Sequence, residues 1–218
     1  EAAAAFISRF LPHVADFCVD HGVNLQKFPE MVQVKKRNYF VVVSQFIERK
    51  KIDRTMMRFR EFWENGHRDY RLYLIGQGEL ESAYRDFIAW HHLEDAVILC
   101  GQMTHEQLLP FLAESKAMLI STVKDNNMVS IVESIAAGTP VVTTSVPYNA
   151  AYIRKDGLGI VADDWGADAL EKICAENDKY VRNCINYREK LSNTYLANQF
   201  VEYARQYWKS CLESDTID

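Results

Sequence analysis

The stretch Met118-Leu-Ile-Ser-Thr-Val-Lys-Asp-Asn-Asn-Met-Val-Ser-Ile-Val-Glu-Ser-Ile-Ala-Ala-Gly-Thr-Pro-Val-Val-Thr143 holds a complete supersecondary unit. It opens on the apolar run Met118-Leu-Ile120 and closes on Pro140-Val-Val-Thr143. Both runs lack polar alternation, the pattern of strands buried on both faces. Between them, from Asn127 to Ala137, Ile131, Val132, Ile135 and Ala136 recur at helical spacing, and Gly138-Thr139-Pro140 stops the helix. A strand, a helix and a second strand in so short a span imply parallel pairing with a right-handed crossover.

The same alternation extends outward. Upstream lie the apolar runs Tyr39–Val43, Leu72–Ile75 and Ala96–Cys100; downstream lies Leu158–Val161. Helical patterns separate them. Thr55 to Glu64 ends at Asn65-Gly66, and Glu79 to His92 carries Leu80, Ala83, Tyr84, Phe87 and Ile88 in one stripe. Thr104 to Ser115 opens with Thr104-x-x-Gln107, a capping-box pattern. The expected fold is α/β: a Rossmann-like, doubly wound parallel sheet of about six strands, with helices on both faces and a helical C-terminal tail. Residues 1–38, with Pro12, Gly22, Pro29 and Lys35-Lys-Arg37, show no period and read as a lead-in or inter-domain segment. Residues 39–165 form the core. Residues 166–218 carry no strand signal and read as C-terminal helices of the same domain, Tyr207 and Trp208 giving the last one a bulky apolar side.

Composition narrows the partners. With 218 residues, 48% hydrophobic and 25% charged, the chain is an ordinary globular domain rather than disordered, collagenous or coiled-coil. Its 25 Lys plus Arg against 30 Asp plus Glu argue against nucleic acid and against attraction to an anionic membrane. No apolar run approaches the ~20 residues that span a bilayer. Ala2 to Ile7 is apolar but lacks a basic flank and a cleavage site. The chain opens on Glu1, which reads as a fragment or a trimmed product. Cys18, Cys100, Cys174, Cys184 and Cys211 are odd in number, scattered and without a C-x-x-C, so neither a disulfide framework nor a zinc site is expected, and the setting is cytoplasmic.

In a doubly wound sheet, ligands bind beyond the carboxyl ends of the strands, where strand order reverses. After the first strand, Glu48 to Arg60 holds six basic residues and two acidic ones, a local +4 in a chain of net −5. A phosphate-bearing ligand accounts for Arg49, Lys50 and Lys51, which precede the helix; a solvated helix face accounts equally well for Arg58 and Arg60. After the second strand, Gly76-Gln-Gly78 allows a tight turn and close backbone approach to a ligand, or simply a strand-to-helix turn. The longer G-x-G-x-x-G fingerprint is absent, which removes most support for NAD. Cys100-Gly101-Gln102-Met103 after the third strand is uninformative alone. After the fourth, Asn126 or Asn127 is expected to cap the helix and leave its N–H groups for a phosphate. Glu133 falls among apolar neighbours on that helix. Its burial is costly unless something donates hydrogen bonds to it, as ligand hydroxyls would at about 1.5–3 kcal/mol each; the bland alternative is an acid reaching water at the sheet edge. His67, His91, His92 and His105 lack ligand spacing and read as structural.

These residues together resemble a family. Asp125-x(7)-Glu133, followed by Ser134-Ile-Ala-Ala-Gly-Thr-Pro-Val-Val142, is similar to the acid-x(7)-acid motif of retaining glycosyltransferases with the GT-B fold. Val43-Ser44-Gln45 with Lys50 resembles the family's strand, turn and lysine that grips the donor diphosphate. Leu74 to Leu80 resembles its G-x-G turn, Val97 to Gly101 the strand and glycine beside the nucleobase, and His21 to Phe28 the segment leading into the C-terminal domain. The resemblance runs from about residue 20 to 205.

It implies the donor-binding domain of an enzyme that moves a sugar from a nucleoside diphosphate sugar to a glycan or lipid-linked acceptor, in surface polysaccharide synthesis. Lys50 would contact the donor phosphates and Glu133 the ribose hydroxyls. Asp125 and the backbone of Asn126, Asn127, Met128 and Val129 would face the sugar and phosphates. Gly101, Gln102 and Met103 would edge the base, and Ser44, Gln45, Gly76 and Gly78 would line the donor site. No metal or other cofactor is implied, and no D-x-D stands between apolar strands. The acceptor groove belongs to an N-terminal domain missing from this chain, which alone should bind donor weakly and not turn over. The parent enzyme would be cytoplasmic, peripheral at the inner face of the membrane. Three departures stand out: Gln45 where the family has arginine, Asp125 where it has glutamate, and Asn126-Asn127-Met128 where it has Gly-Phe-Gly. They leave two alternatives, a nucleotide-sugar epimerase or phosphorylase of the same fold, or a non-catalytic nucleotide-sugar-binding module.

Overall fold

In the computed structural model, which describes residues 21–28 and 34–214, six strands form one sheet. They are β1 (Tyr39–Val43), β2 (Arg71–Ile75), β3 (Val97–Gly101), β4 (Ala117–Leu119), β5 (Val141–Thr143) and β6 (Gly159–Val161). Their order is β3-β2-β1-β4-β5-β6, and every neighbouring pair is parallel. The chain therefore winds outward from β1 to one edge, returns to β4, and winds outward again. The reversal lies between β1 and β4, where Phe40 stands opposite Ala117 and Val41 opposite Met118.

The continuous apolar runs are explained by what covers them. On β1, Phe40 and Val42 join one core cluster, while Tyr39 and Val41 join the other. The helices are α1 (Ile52–Glu64), α2 (Glu81–Trp90), α3 (His105–Glu114), α4 (Val129–Ala136), α5 (Ala150–Asp156), α6 (Ala167–Ala175), α7 (Asn177–Tyr187) and α8 (Asn193–Ser214). Phe59 and Phe62 of α1 pack with Phe40, Leu72 and Leu170 on one face; Ile131 and Ile135 of α4 pack with Val41, Met118 and Leu112 on the other. Phe40 meets Phe59, Phe62 and Tyr70 at ring distances of 6.2, 5.6 and 5.6 Å.

Two elements differ from the expected pattern. Helix α1 starts at Ile52 rather than Thr55, because the basic stretch before it folds into a 3-10 turn, Glu48–Lys50, closed by Lys51 in the left-handed region (φ 49°). The lead-in is also tied to the domain where it is described: the Val23 N–H donates to Leu191 O and the Asn193 N–H to Val23 O, at 2.9 and 3.0 Å. Lys36 Nζ donates to Ala113 O and Thr139 Oγ1, each at 2.7 Å. Pro12, Pro29, Cys18 and the side chain of Cys211 lie outside the described residues; Cys100, Cys174 and Cys184 are free thiols. Among the described residues no helix is long and apolar enough to cross a membrane.

Candidate functional site

Parallel strands that diverge at a reversal of order leave their following loops to splay apart, opening a crevice at their carboxyl ends. The loop after β1 and the loop after β4 flank it. They are cross-tied by the Val123 N–H to Arg49 O and by Thr122 Oγ1 to the same oxygen, each at 3.0 Å. This tie sets the 3-10 turn Glu48–Lys50 against the segment Thr122–Asp125. Lys50 Nζ and the Asp125 carboxylate meet there in an ion pair, their side chains 12% and 14% exposed. Arg49 Nη1 stands 4.0 Å from the other Asp125 oxygen, which also accepts the Asn126 N–H at 3.0 Å. Two predicted site residues 75 positions apart thus form one charged centre.

Beside it lies a cleft of about 500 Å³ at the ends of β1, β2 and β3, lined by Ser44, Gln45, Gly76, Gly78, Gln102 and Met103. All six were expected at the donor site. Ser44 Oγ is buried without a hydrogen-bond partner among the described residues. Such a group is costly unless a water or ligand satisfies it. The glycines serve the chain itself. A Cβ on Gly76 would fall 1.9 Å from Ser44 O and one on Gly78 2.5 Å from Phe46 O, so both let the β2 turn press against the β1 turn. Gly76 also needs its φ of +143°. Gly101 is different: its φ of +68° favours glycine, but a Cβ there meets nothing within 4 Å.

Helix α4 rises from the same reversal. Its N-cap is Met128, not Asn126 or Asn127 as the sequence suggested. The capping side chain arrives from elsewhere: Asn149 Oδ1 accepts the Met128 N–H at 2.8 Å, and Asn149 Nδ2 donates to Asn127 Oδ1 at 2.5 Å. Asn127 precedes the cap position, and the Ile131 N–H donates to Met128 O at 3.0 Å. The Val129 and Ser130 amides, next in the first turn, find no acceptor among the described residues. A first turn with unpaired N–H groups carries the positive end of the helix dipole.

Glu133 sits one turn further on, 7% exposed. Burial raises its carboxyl above the usual carboxylate range, and His105 offsets part of the rise. His105 Nε2 lies 3.4 Å from Glu133 Oε1. His105 opens α3, whose capping box is formed as expected, with Thr104 and Gln107 exchanging bonds. His67 stacks on Phe62 at 4.0 Å and His91 contacts Arg60 Nη1 at 2.6 Å, so these two take packing and polar contacts of their own. His105 and Asn149 are the site neighbours that sequence alone did not reveal.

The sequence profile described as "Glycosyl transferases group 1" matches residues 25–194. The chain belongs to this family. It is 27% identical over 184 residues to the amylovoran biosynthesis glycosyltransferase AmsK of Erwinia amylovora, a match covering 77% of this chain and 45% of that protein. The chain thus spans less than half the length of this relative. Among solved structures it is similar to TarM of S. aureus, determined with fondaparinux, alpha-GlcNAc-glycerol and UDP (TM-score 0.75, 18% identity, 93% of this chain and 42% of that one). It is equally similar to sucrose-phosphate synthase of Thermosynechococcus elongatus (TM-score 0.75, 18% identity, 95% and 57%). It also resembles WaaG, a glycosyltransferase involved in lipopolysaccharide biosynthesis (TM-score 0.66, 16% identity, 82% and 54%). At these identities the likeness establishes the fold, and the Rossmann-like sheet of this glycosyltransferase family member agrees with the sequence expectation.

Proposed function

We propose that this chain is the donor-binding half of a retaining glycosyltransferase, taking a sugar from a nucleoside diphosphate sugar. The observation that carries the reading is the convergence, at one reversal of strand order, of Lys50, Asp125 and the unpaired first-turn amides of α4. A diphosphate needs a cation and N–H donors, and this corner offers both. A cleft of about 500 Å³ adjoins it, a volume suited to a nucleoside. The base would lie along Gly101, Gln102 and Met103, and the ribose hydroxyls would donate to Glu133.

In this reading Lys50 holds the diphosphate and neutralises the charge that grows on it as the glycosidic bond to the anomeric carbon breaks. The Val129 and Ser130 amides add fixed dipoles at the same place, so charge is balanced by protein groups rather than a metal ion. In the unliganded protein Asp125 pairs with Lys50, and the incoming diphosphate takes the lysine over. Asp125 then faces the sugar with Asn126 and Asn127. The acceptor, a glycan or a lipid-linked saccharide in surface polysaccharide assembly, is assigned to a facing domain outside this chain. AmsK, named for amylovoran biosynthesis, supports that direction. Free Cys100, Cys174 and Cys184 suit a cytoplasmic enzyme, with its acceptor presented at the inner membrane face.

The test is nucleoside diphosphate release by the full-length protein from UDP-, GDP- and ADP-sugars. Glu133→Ala is expected to lower kcat/KM at least ~100-fold, about 2.7 kcal/mol of transition-state stabilisation. Wild-type kinetics in that variant contradict the assignment. Donor binding without release, across acceptors, supports a non-catalytic module instead.

A further inference from the structure

Asn149 immediately precedes α5, the position where an asparagine ordinarily caps its own helix. Its side chain makes no such bond. It is fully buried and points across to α4. A backbone N–H can only donate, so the Met128 N–H fixes Asn149 Oδ1 as the acceptor, at 2.8 Å. The amide nitrogen is thereby turned toward two other oxygens, Asn127 Oδ1 at 2.5 Å and Tyr152 OH at 2.7 Å. Both of its N–H groups are used. A main-chain bond runs beside them, from the Tyr148 N–H to Asn126 O at 2.9 Å. The segment after β5 therefore grips Asn126, Asn127 and Met128 in turn.

The consequence falls on the next two residues. With the Met128 N–H occupied by Asn149 and the Ile131 N–H by Met128 O, the amides left over in the first turn of α4 are those of Val129 and Ser130. Asn149 thus occupies the amide immediately before the two that are left. We propose that Asn149 is a positioning residue of the donor site, holding the Asn126–Met128 turn so that the Val129 and Ser130 amides receive the distal phosphate of the nucleoside diphosphate. This rests on the donor-site reading. It adds that phosphate affinity is set by a side chain that touches no ligand.

The experiment is calorimetric titration of the full-length protein with UDP, GDP and ADP and with the matching monophosphates. In wild type, one diphosphate binds. Asn149→Ala should lower affinity for that diphosphate about tenfold while its monophosphate changes less than about threefold, because the base and ribose contacts are untouched. Equal losses on both ligands, or none on either, overturn the assignment of Asn149 and leave the donor site standing. Wild-type protein that binds no diphosphate overturns the donor-site reading, and this inference with it. If Asn149→Ala does not accumulate folded, Asn127→Ala removes one partner of the same latch at a less buried position. It should show a smaller loss, about threefold, with the same selectivity for the diphosphate; a variant unchanged on both ligands overturns the proposal.

Discussion

Glu133 costs the fold something. Its side chain is 10% exposed, and the imidazole beside it, His105, is 68% exposed, so burial outweighs what His105 offsets. Burial favours the protonated form, and the folded-state pKa lies above the unfolded one. The ionised form therefore weakens the fold. That penalty is absent below the ordinary carboxylate range and grows as pH rises through the raised value. Replacing Glu133 by Gln should raise the melting temperature at pH 7 by a few degrees, the scale of about 1 kcal/mol in a domain of this size. The gain should shrink toward zero at pH 4; a pH-independent gain would show that charge is not the cause. An acid kept at such a site despite its cost fits a role in ligand binding.

At this scale the sequence was uneven. Lys50 and Asp125 could be singled out because each follows an apolar run at a strand end. Glu133 stood out as an acid among isoleucines and valines. His105 and Asn149 could not, since their importance comes from where other segments bring Glu133 and Met128. An asparagine before a helix reads as that helix's own cap, and only tertiary packing redirects Asn149 to α4.

Between elements, the glycines carry the information. The G-x-G after β2 was open to two explanations, room for a ligand or room for the chain. The structure places Ser44 O and Phe46 O where the Cβ atoms would go. Gly76→Ala should cost roughly 2–4 kcal/mol in chemical denaturation, since it combines a backbone clash with a φ forbidden to alanine. Gly101→Ala should cost about 1 kcal/mol, because only its φ objects. Equal costs at the two positions would refute this division. Strands and helices were legible because buried parallel strands read as unbroken apolar runs and the helices between them keep their stripes. The start of α1 was not: Glu48–Lys51 is polar throughout, and a 3-10 turn ending in a left-handed lysine leaves no periodic trace.

Across the whole molecule, alternation of strands and helices predicted a parallel sheet, but not its order. Short crossovers fit several orders, and pairing β1 with β4 depends on contacts far apart in the chain. Once that pairing is known, the placement of the local +4 segment becomes meaningful, because it puts Lys50 at the reversal. The chain is acidic overall, so the proposed affinity for a phosphate ligand would have to come from this corner rather than from net charge. In the proposed reading a facing domain would exclude water from Lys50, and this chain alone should bind a nucleoside diphosphate with a Kd of roughly 0.1–1 mM.

The most direct measurement is a calorimetric or NMR titration of this chain, and of the full-length protein, with UDP, GDP, ADP and their glucose and mannose conjugates. The account predicts saturable binding of one base, lost in Glu133→Ala and weakened about tenfold in Lys50→Ala. Binding that both substitutions leave unchanged, or no binding by the full-length protein at several millimolar, would contradict it.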